Sequence, residues 1–277
     1  VDNSTFSVLM SLYSGDQPEH FISAVDSNFE QTVPPYEIVI VIDGPVGKTI
    51  DDAINIVKSR YGEKIRIVRL NKNVGLGAAL QEGMKVVRTE IVARADSDDL
   101  SESRRFEYQL REFKQDSQLV LVGGQVKEFV KDKDNIISAR RLPEDDDDIR
   151  TFAKYRSPFN HPTVMFKKSA IEEVGGYLPF RFLEDYHLWA RVLSKDWHVK
   201  NVNDATVFMR VDTGMYGRRG GISYGIQNLK LRWFFFKLGM ISFGQMLFID
   251  FVVFSMSVIP MGVRKLLYTK FLRQEEN

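Results

Sequence analysis

Apolar and polar positions alternate along the first hundred residues with two different periods. Short apolar runs at residues 6–13 (FSVLMSLY), 36–43 (YEIVIVID), 65–70 (IRIVRL) and 90–96 (EIVARAD) have the length and Val/Ile content of strands. Between them, residues 19–30, 49–61 and 76–87 carry apolar side chains at helical spacing. Strands alternating with helices of this length predict βαβ units and a mostly parallel sheet, with runs such as IVIVI as central strands covered on both faces. Ligands of such sheets bind at the carboxyl ends of the strands. Tyr13, Asp43 and the acids at 96–99 fall there.

Beyond residue 100 the pattern loosens. It predicts a helix over 102–114, a strand over 119–123, a strand over 163–166, and helices over 168–174 and 185–193. KDKDN (131–135) and PEDDDD (143–148) read as polar loops, the second also as a helix start. Its adjacent carboxylates lack the ligand spacing and turn glycine of a calcium loop. No repeat and no linker interrupts the chain before residue 212. The expected organisation is therefore one α/β unit over 1–211 and a helical, apolar extension over 212–277.

The 277 residues are 44% hydrophobic, enough for a substantial core, and 38 Lys+Arg against 37 Asp+Glu leave a net charge of +1. That balance argues against a nucleic-acid binder held by a strong basic field. With no cysteine there is no disulfide, thiolate metal site or cysteine nucleophile, which suits a reducing compartment. Residues 6–13 read as a strand rather than the apolar core of a secretory signal. One anomaly stands out: from 233 to 263 only Lys237 and Asp250 are charged.

Several short motifs carry candidate chemistry. GPVGKT (44–49) lacks the earlier glycine of a phosphate-binding loop, Ile42 standing in its place, and VGLGAAL (74–80) is an incomplete dinucleotide fingerprint after the wrong strand, so both are set aside. ADSDD (95–99) puts Asp96, Asp98 and Asp99 directly after a strand. Such a cluster suits Mg²⁺ or Mn²⁺; the competing reading is a turn in which Asp99 or Ser101 caps the next helix. FLEDYHLW (182–189) sets Glu184 and Asp185 among aromatics, as a general base would be set or as a helix N-terminus would be capped. His161 in NHPTVMF is a lone histidine, structural or functional. RRGG (218–221) places Arg218 and Arg219 in a glycine-rich loop suited either to phosphate oxygens or to solvent.

Taken together and in this order, these residues resemble a family 2 glycosyltransferase of the GT-A fold over residues 6–211. The first strand resembles the one bearing Ser11 and ending in the Tyr that packs on the nucleobase, here Tyr13. EIVIVIDGP resembles the second, whose acid meets the uracil, here Asp43. NVGLGAALQEG (73–83), with Asn73 and Gly77, is similar to the segment lining the donor pocket. ARADSDD resembles the DxD region: beside Arg94, Asp96 and Asp98 would hold ribose and metal-diphosphate, and Asp98 and Asp99 the cation. EDYHLWARV resembles the motif whose Asp is the catalytic base, which implies Asp185 in that role, with Glu184 beside it and His161 on the acceptor side. NHPTVMFKKSA, GGY and MYGRRGG bring the chain closest to a bacterial exopolysaccharide and O-antigen subgroup similar to the amylovoran biosynthesis glycosyltransferases.

The resemblance implies an inverting, Mn²⁺- or Mg²⁺-dependent transfer from a UDP-sugar to an undecaprenyl-diphosphate-linked saccharide, with Arg218 and Arg219 closing on the diphosphate. It implies a cytoplasmic enzyme, peripheral to the inner face of the bacterial cell membrane. A nucleotidyltransferase fits less well, since YSGDQPEH (13–20) has one glycine and no Lys or Arg; a silent glycan binder would not need Asp43, Asp96, Asp98 and Asp185 intact. For the apolar tail, Asp250, Gly239, Gly244 and Pro260 speak against a transmembrane span. An interfacial segment with Arg264, Lys265, Lys270 and Arg273 at its margin is the preferred reading. A core-packing or dimerising helical pair, and hence a homo-oligomer, is the alternative.

Overall fold

The computed structural model describes residues 5–211 and 222–258. The βαβ pattern forms as the periodicity predicts: β1 (Phe6–Leu12), α1 (Pro18–Phe29), β2 (Glu37–Ile42), α2 (Lys48–Tyr61), β3 (Ile65–Arg69), α3 (Leu76–Val86) and β4 (Ile91–Ala95). These four strands are mutually parallel in the order β3-β2-β1-β4. All six side chains of β2 are buried. Ile38, Ile40 and Ile42 join one core with α1 and α2, whereas Val39 and Val41 join a second core with α3. A two-residue side-chain period thus serves two helical layers at once.

The second half departs from the expectation of a mostly parallel sheet. After β5 (Leu100–Ser101) and α4 (Arg105–Gln115) come β6 (Leu119–Phe129), β7 (Ile136–Arg140), α5 (Asp146–Phe152), β8 (Met165–Lys167), α6 (Lys168–Glu173), α7 (Glu184–Leu193) and β9 (His198–Arg210). Strand β8 enters antiparallel between β4 and β6, β9 runs parallel to β6, and β5 and β7 add antiparallel edges, so the nine-stranded sheet of the described residues is mixed. The strands differ from the sequence reading in that β6 continues six residues past Gly123, and β5, β7 and β9 have no counterpart there. The mid-strand Gly123 and Gly124 look like a strand end. They are glycine because Asn201 and Thr206 of β9 press against them, where any Cβ would collide. The acidic run is a helix start: Asp146, Asp147 and Asp148 occupy the first turn of α5, where carboxylates meet the positive end of the helix.

Two further helices, α8 (Ile222–Lys237) and α9 (Phe243–Val258), pack on each other and on α7. Leu231, Phe235, Ile241 and Met246 close a third apolar cluster with Leu183, Tyr186 and Ala190. The described part of the tail is therefore a helical pair resting on the domain. No helix among the described residues is long and apolar enough to cross a membrane.

Candidate active site

Parallel register delivers the first site residues to one end of the sheet. Leu12 pairs with Ile42 and Met10 with Ala95, so Tyr13, Asp43 and Asp96 leave together at the carboxyl ends of β1, β2 and β4. Ser11 is half-buried just inside this edge, and the Tyr13 ring is exposed. Asp43 is buried, and both its oxygens are engaged: Oδ1 accepts the Val74 N–H (2.7 Å) and Oδ2 the Gly75 N–H (2.9 Å). The Asn73 amide donates to the Asp43 carbonyl (3.2 Å). Gly44, at φ +90°, turns directly against the Asn73 backbone, leaving no room for a Cβ. Asp43 thus fastens the loop that starts α3, a task that its expected contact with a base would have to share.

The acid turn follows β4. One carboxylate oxygen from each of Asp96, Asp98 and Asp99 lies within 4.8 Å of the others. Asp99 is 5% exposed; its Oδ1 accepts the Arg210 N–H from the end of β9 (2.8 Å), and its Oδ2 is buried with no partner among the described residues. Burial, then Asp96 and Asp98, raises the Asp99 carboxyl well above the usual carboxylate range. Burial, then Asp96 and Asp16, pushes Asp98 up to about 6. Three crowded hard-oxygen donors, one with an orphaned buried atom, fit a divalent cation. The helix-capping alternative does not hold. Leu100 and Ser101 pair with β9 in β5, α4 begins only at Arg105, and the Ser101 Oγ accepts from Arg105 Nη1 (3.0 Å).

Arg94 supplies the local countercharge. It is 2% exposed and ion-paired with Asp96, and its Nε and Nη1 lack partners among the described residues. Burial opposes its charge, but the carboxylate of Asp96 outweighs that and keeps the guanidinium protonated.

Helix α7 brings the second pair of acids. Phe182, a non-glycine residue at φ +71°, turns the chain so that Glu184 and Asp185 form the first helical turn. The close approach of Glu184 to Gly77 at the start of α3 would press on any side chain there: a Cβ at 77 would lie 3.1 Å from the Glu184 Cβ. Burial, then the charge of Asp185, pushes Glu184 up to about 7, and Arg94 and Asp96 also act on it. The charges of Arg94, Asp185, Glu184 and Asp96 all bear on the buried Tyr177 hydroxyl, although the sequence separates the two acid groups by 85 residues or more. The Tyr177 hydroxyl bonds His161 Nε2 (2.9 Å), and Trp189 lies edge-on to the His161 ring. Burial, then Arg94, holds the imidazole well below its ordinary pKa, so it is neutral. His161 is thus held, neutral, against Tyr177 and Trp189.

The structure thus brings Asp96, Asp98 and Asp99 together beside Arg94, packs Glu184 against Gly77, and sets His161 on Tyr177, which the charges of Arg94, Asp96, Glu184 and Asp185 all reach. Ser11, Tyr13, Asp43 and Asn73 sit at the carboxyl ends of β1 and β2 and in the loop that Asp43 fastens. Arg218 and Arg219 lie outside the described residues. Sequence reading missed Asp16, Arg210 and the placing of Tyr177. Asp16 accepts hydrogen bonds from the Tyr13 N–H (2.9 Å) and the Ser97 hydroxyl (3.0 Å). Arg210 also donates from Nε to the Asp98 carbonyl (3.3 Å). Each is a lone residue whose partners are distant in sequence, and no local spacing marks it.

Comparison with known proteins bears on the family and the fold. The family model described as glycosyl transferase family 2 matches residues 7–175. The chain is 34% identical over 273 residues to an Escherichia coli UDP-Gal:alpha-D-GlcNAc-diphosphoundecaprenol beta-1,3-galactosyltransferase, covering 99% of this chain and 98% of that one. It is 37% identical over 221 residues to the amylovoran biosynthesis glycosyltransferase AmsE of Erwinia amylovora, covering 79% and 81%. Among solved structures, S. aureus TarS 1-349 superposes with a TM-score of 0.57 at 16% identity. This covers 81% of this chain and 65% of that one, a likeness of fold. The matched segment runs from β1 through α6, with the acid turn inside it, and on that ground the chain belongs to glycosyl transferase family 2.

Proposed function

We propose that this glycosyltransferase moves a sugar, with inversion, from a UDP-sugar to a saccharide carried on a lipid diphosphate such as undecaprenyl diphosphate, in the building of a bacterial surface polysaccharide. The observation that carries the reading is the acid turn at the end of β4, where Asp96, Asp98 and Asp99 each bring an oxygen within 4.8 Å of the others, with Glu184 packed on Gly77 and its carboxyl within reach of the Arg94 and Asp96 charges. The near-full-length likeness to a galactosyltransferase of a diphosphoundecaprenol acceptor supports the substrate classes.

In this reading residues 1–211 form the catalytic domain. Tyr13 stacks on the nucleobase, Asp43 shapes the base end through the 73–75 loop, and Ser11, Gly77, Asp96 and Asp98 line the ribose and diphosphate. The Asp185 carboxylate takes the proton of the acceptor hydroxyl as that oxygen bonds to the anomeric carbon, and the bond from that carbon to the UDP oxygen breaks on the opposite face. Glu184 orients Asp185 or meets acceptor hydroxyls, and His161 steadies the floor beneath them. A Mn²⁺ or Mg²⁺ ion held by Asp98 and Asp99 would supply countercharge to the diphosphate. Arg218 and Arg219 would add to it.

The helical extension over 212–277 would rest on the inner face of the cell membrane, where a lipid-linked acceptor waits. Asp185→Asn preserves shape but removes the base. Transfer should fall by about a thousandfold or more while UDP affinity, read by calorimetry, changes little. Retained turnover would remove Asp185 from the role.

A further inference from the structure

The loop after β1 contains an acid that neither the sequence reading nor the mechanism above uses. Asp16 stands two residues before α1, yet it does not cap that helix, whose N-cap is Gln17 with no side-chain hydrogen bond. Its carboxylate turns the other way. Oδ2 accepts the Tyr13 N–H (2.9 Å), while the Asp16 N–H donates to the Tyr13 carbonyl (3.1 Å), so residues 13 and 16 hold each other in a closed turn. The same Oδ2 accepts the hydroxyl of Ser97 (3.0 Å), the residue between Asp96 and Asp98. Gly15 completes the turn: a Cβ there would lie 2.6 Å from the Tyr13 ring, which therefore folds over bare backbone. Asp16 is half-buried, and burial first, with Asp96 nearby, raises its carboxyl pKa, the cost of a bond to each side.

We propose that Asp16 is a positioning residue for the donor site, tying the turn that presents Tyr13 to the acid turn at 96–99 so that the two ends of a nucleoside diphosphate sugar are held at a fixed separation. The inference rests on the reading of Tyr13 and the acid turn as the two ends of the donor pocket.

Three variants test it. Asp16→Ala cuts both arms. Asp16→Asn keeps an oxygen able to accept both bonds while removing the charge. Ser97→Ala cuts only the arm to the acid turn. The reads are UDP affinity by calorimetry with Mn²⁺ and with a chelator, and KM and kcat for UDP-sugar hydrolysis or transfer. Losing two hydrogen bonds should raise the UDP Kd and the donor KM about tenfold or more in Asp16→Ala, and about threefold in Ser97→Ala. In both variants kcat should stay within about threefold. Asp16→Asn should return Kd and KM to within about threefold of the wild type.

An Asp16→Ala protein with unchanged KM, a kcat loss without a KM change, or an Asp16→Asn variant as weak as Asp16→Ala would each overturn the inference. The wild type separates the two levels of the argument. If it binds no UDP, the donor-site reading falls and takes this inference with it. If it binds UDP and the variants bind equally well, this inference alone falls. Should Asp16→Ala not fold, Ser97→Ala and Asp16→Asn still decide the matter.

Discussion

Glu184 shows how placement alone can retune a side chain. An exposed glutamate titrates near 4.5, but here burial and the neighbouring Asp185 carry it to about 7. Below about pH 4.5 it is protonated in both folded and unfolded chains and contributes nothing. As pH rises from there to about 7, the unfolded chain ionises first, so unfolding releases a proton and stability falls; above 7 the whole penalty persists. Glu184→Gln mimics the neutral form and should flatten this slope, leaving the variant more stable than the wild type at pH 8 by about 1–2 kcal/mol after solvent screening, with little difference at pH 4.5. Urea denaturation at the two pH values reads the effect, and parallel profiles for both proteins would count against it. The acids at 96–99 and 184–185 were legible in sequence because each is a short cluster at a strand end or helix start. Asp16 and Arg210 were not, because their meaning lies in Ser97 and Asp99, 81 and 111 residues away.

Among elements, the same contrast separates the two halves of the sheet. Strands β1, β2 and β4 announce themselves because both faces are buried and most positions are apolar, and β3 follows at the half-buried edge. Strand β9 reads HVKNVNDATVFMR, and its Asn201 serves the fold by donating to the Pro143 carbonyl (2.6 Å) and the Pro158 carbonyl (3.0 Å), a task that no apolar period reveals. The contact of α7 with α8 is equally silent. Arg232 of α8 is 2% exposed and donates to the Lys154 carbonyl (3.1 Å), the Tyr155 carbonyl (2.9 Å) and the Tyr186 hydroxyl (3.0 Å), next to Asp185. Its guanidinium also covers the Tyr186 ring (5.2 Å). Arg232→Met keeps most of the volume but strands these buried acceptors. It should cost about 2–3 kcal/mol of stability, against about 1 kcal/mol for Tyr186→Phe, measured by chemical denaturation. Equal, small losses in both variants would mean that α8 is held on α7 by apolar packing alone.

At the scale of the whole molecule, the near-neutral charge conceals a division of surfaces, and the tail is where it matters. Inside the helical pair, Asp250 buries one oxygen and feels the charge of Arg232, so the charge that argued against a span is turned toward the protein. Outside, α9 exposes Phe243, Leu247, Phe248, Phe251 and Phe254, with Phe251 74% accessible. Positions 243, 247, 251 and 254 follow one helical face, and Trp233 of α8 extends the patch with Lys237 beside it (5.6 Å). A contiguous aromatic face of this kind seeks an apolar partner. The cations written into residues 264–273 suit an anionic bilayer better than a second copy of the same basic segment. The wild type should therefore co-sediment with vesicles of phosphatidylglycerol, more weakly at high salt. Phe248→Glu with Phe251→Glu should lower the partition by about tenfold or more per residue, since each removes an exposed aromatic whose burial in the bilayer would be worth more than about 1.4 kcal/mol. The same variant should still hydrolyse UDP-sugar in solution, because neither side chain belongs to the candidate active site. A wild type that ignores vesicles but forms a dimer, dissolved by the double substitution, would assign the face to a second copy instead.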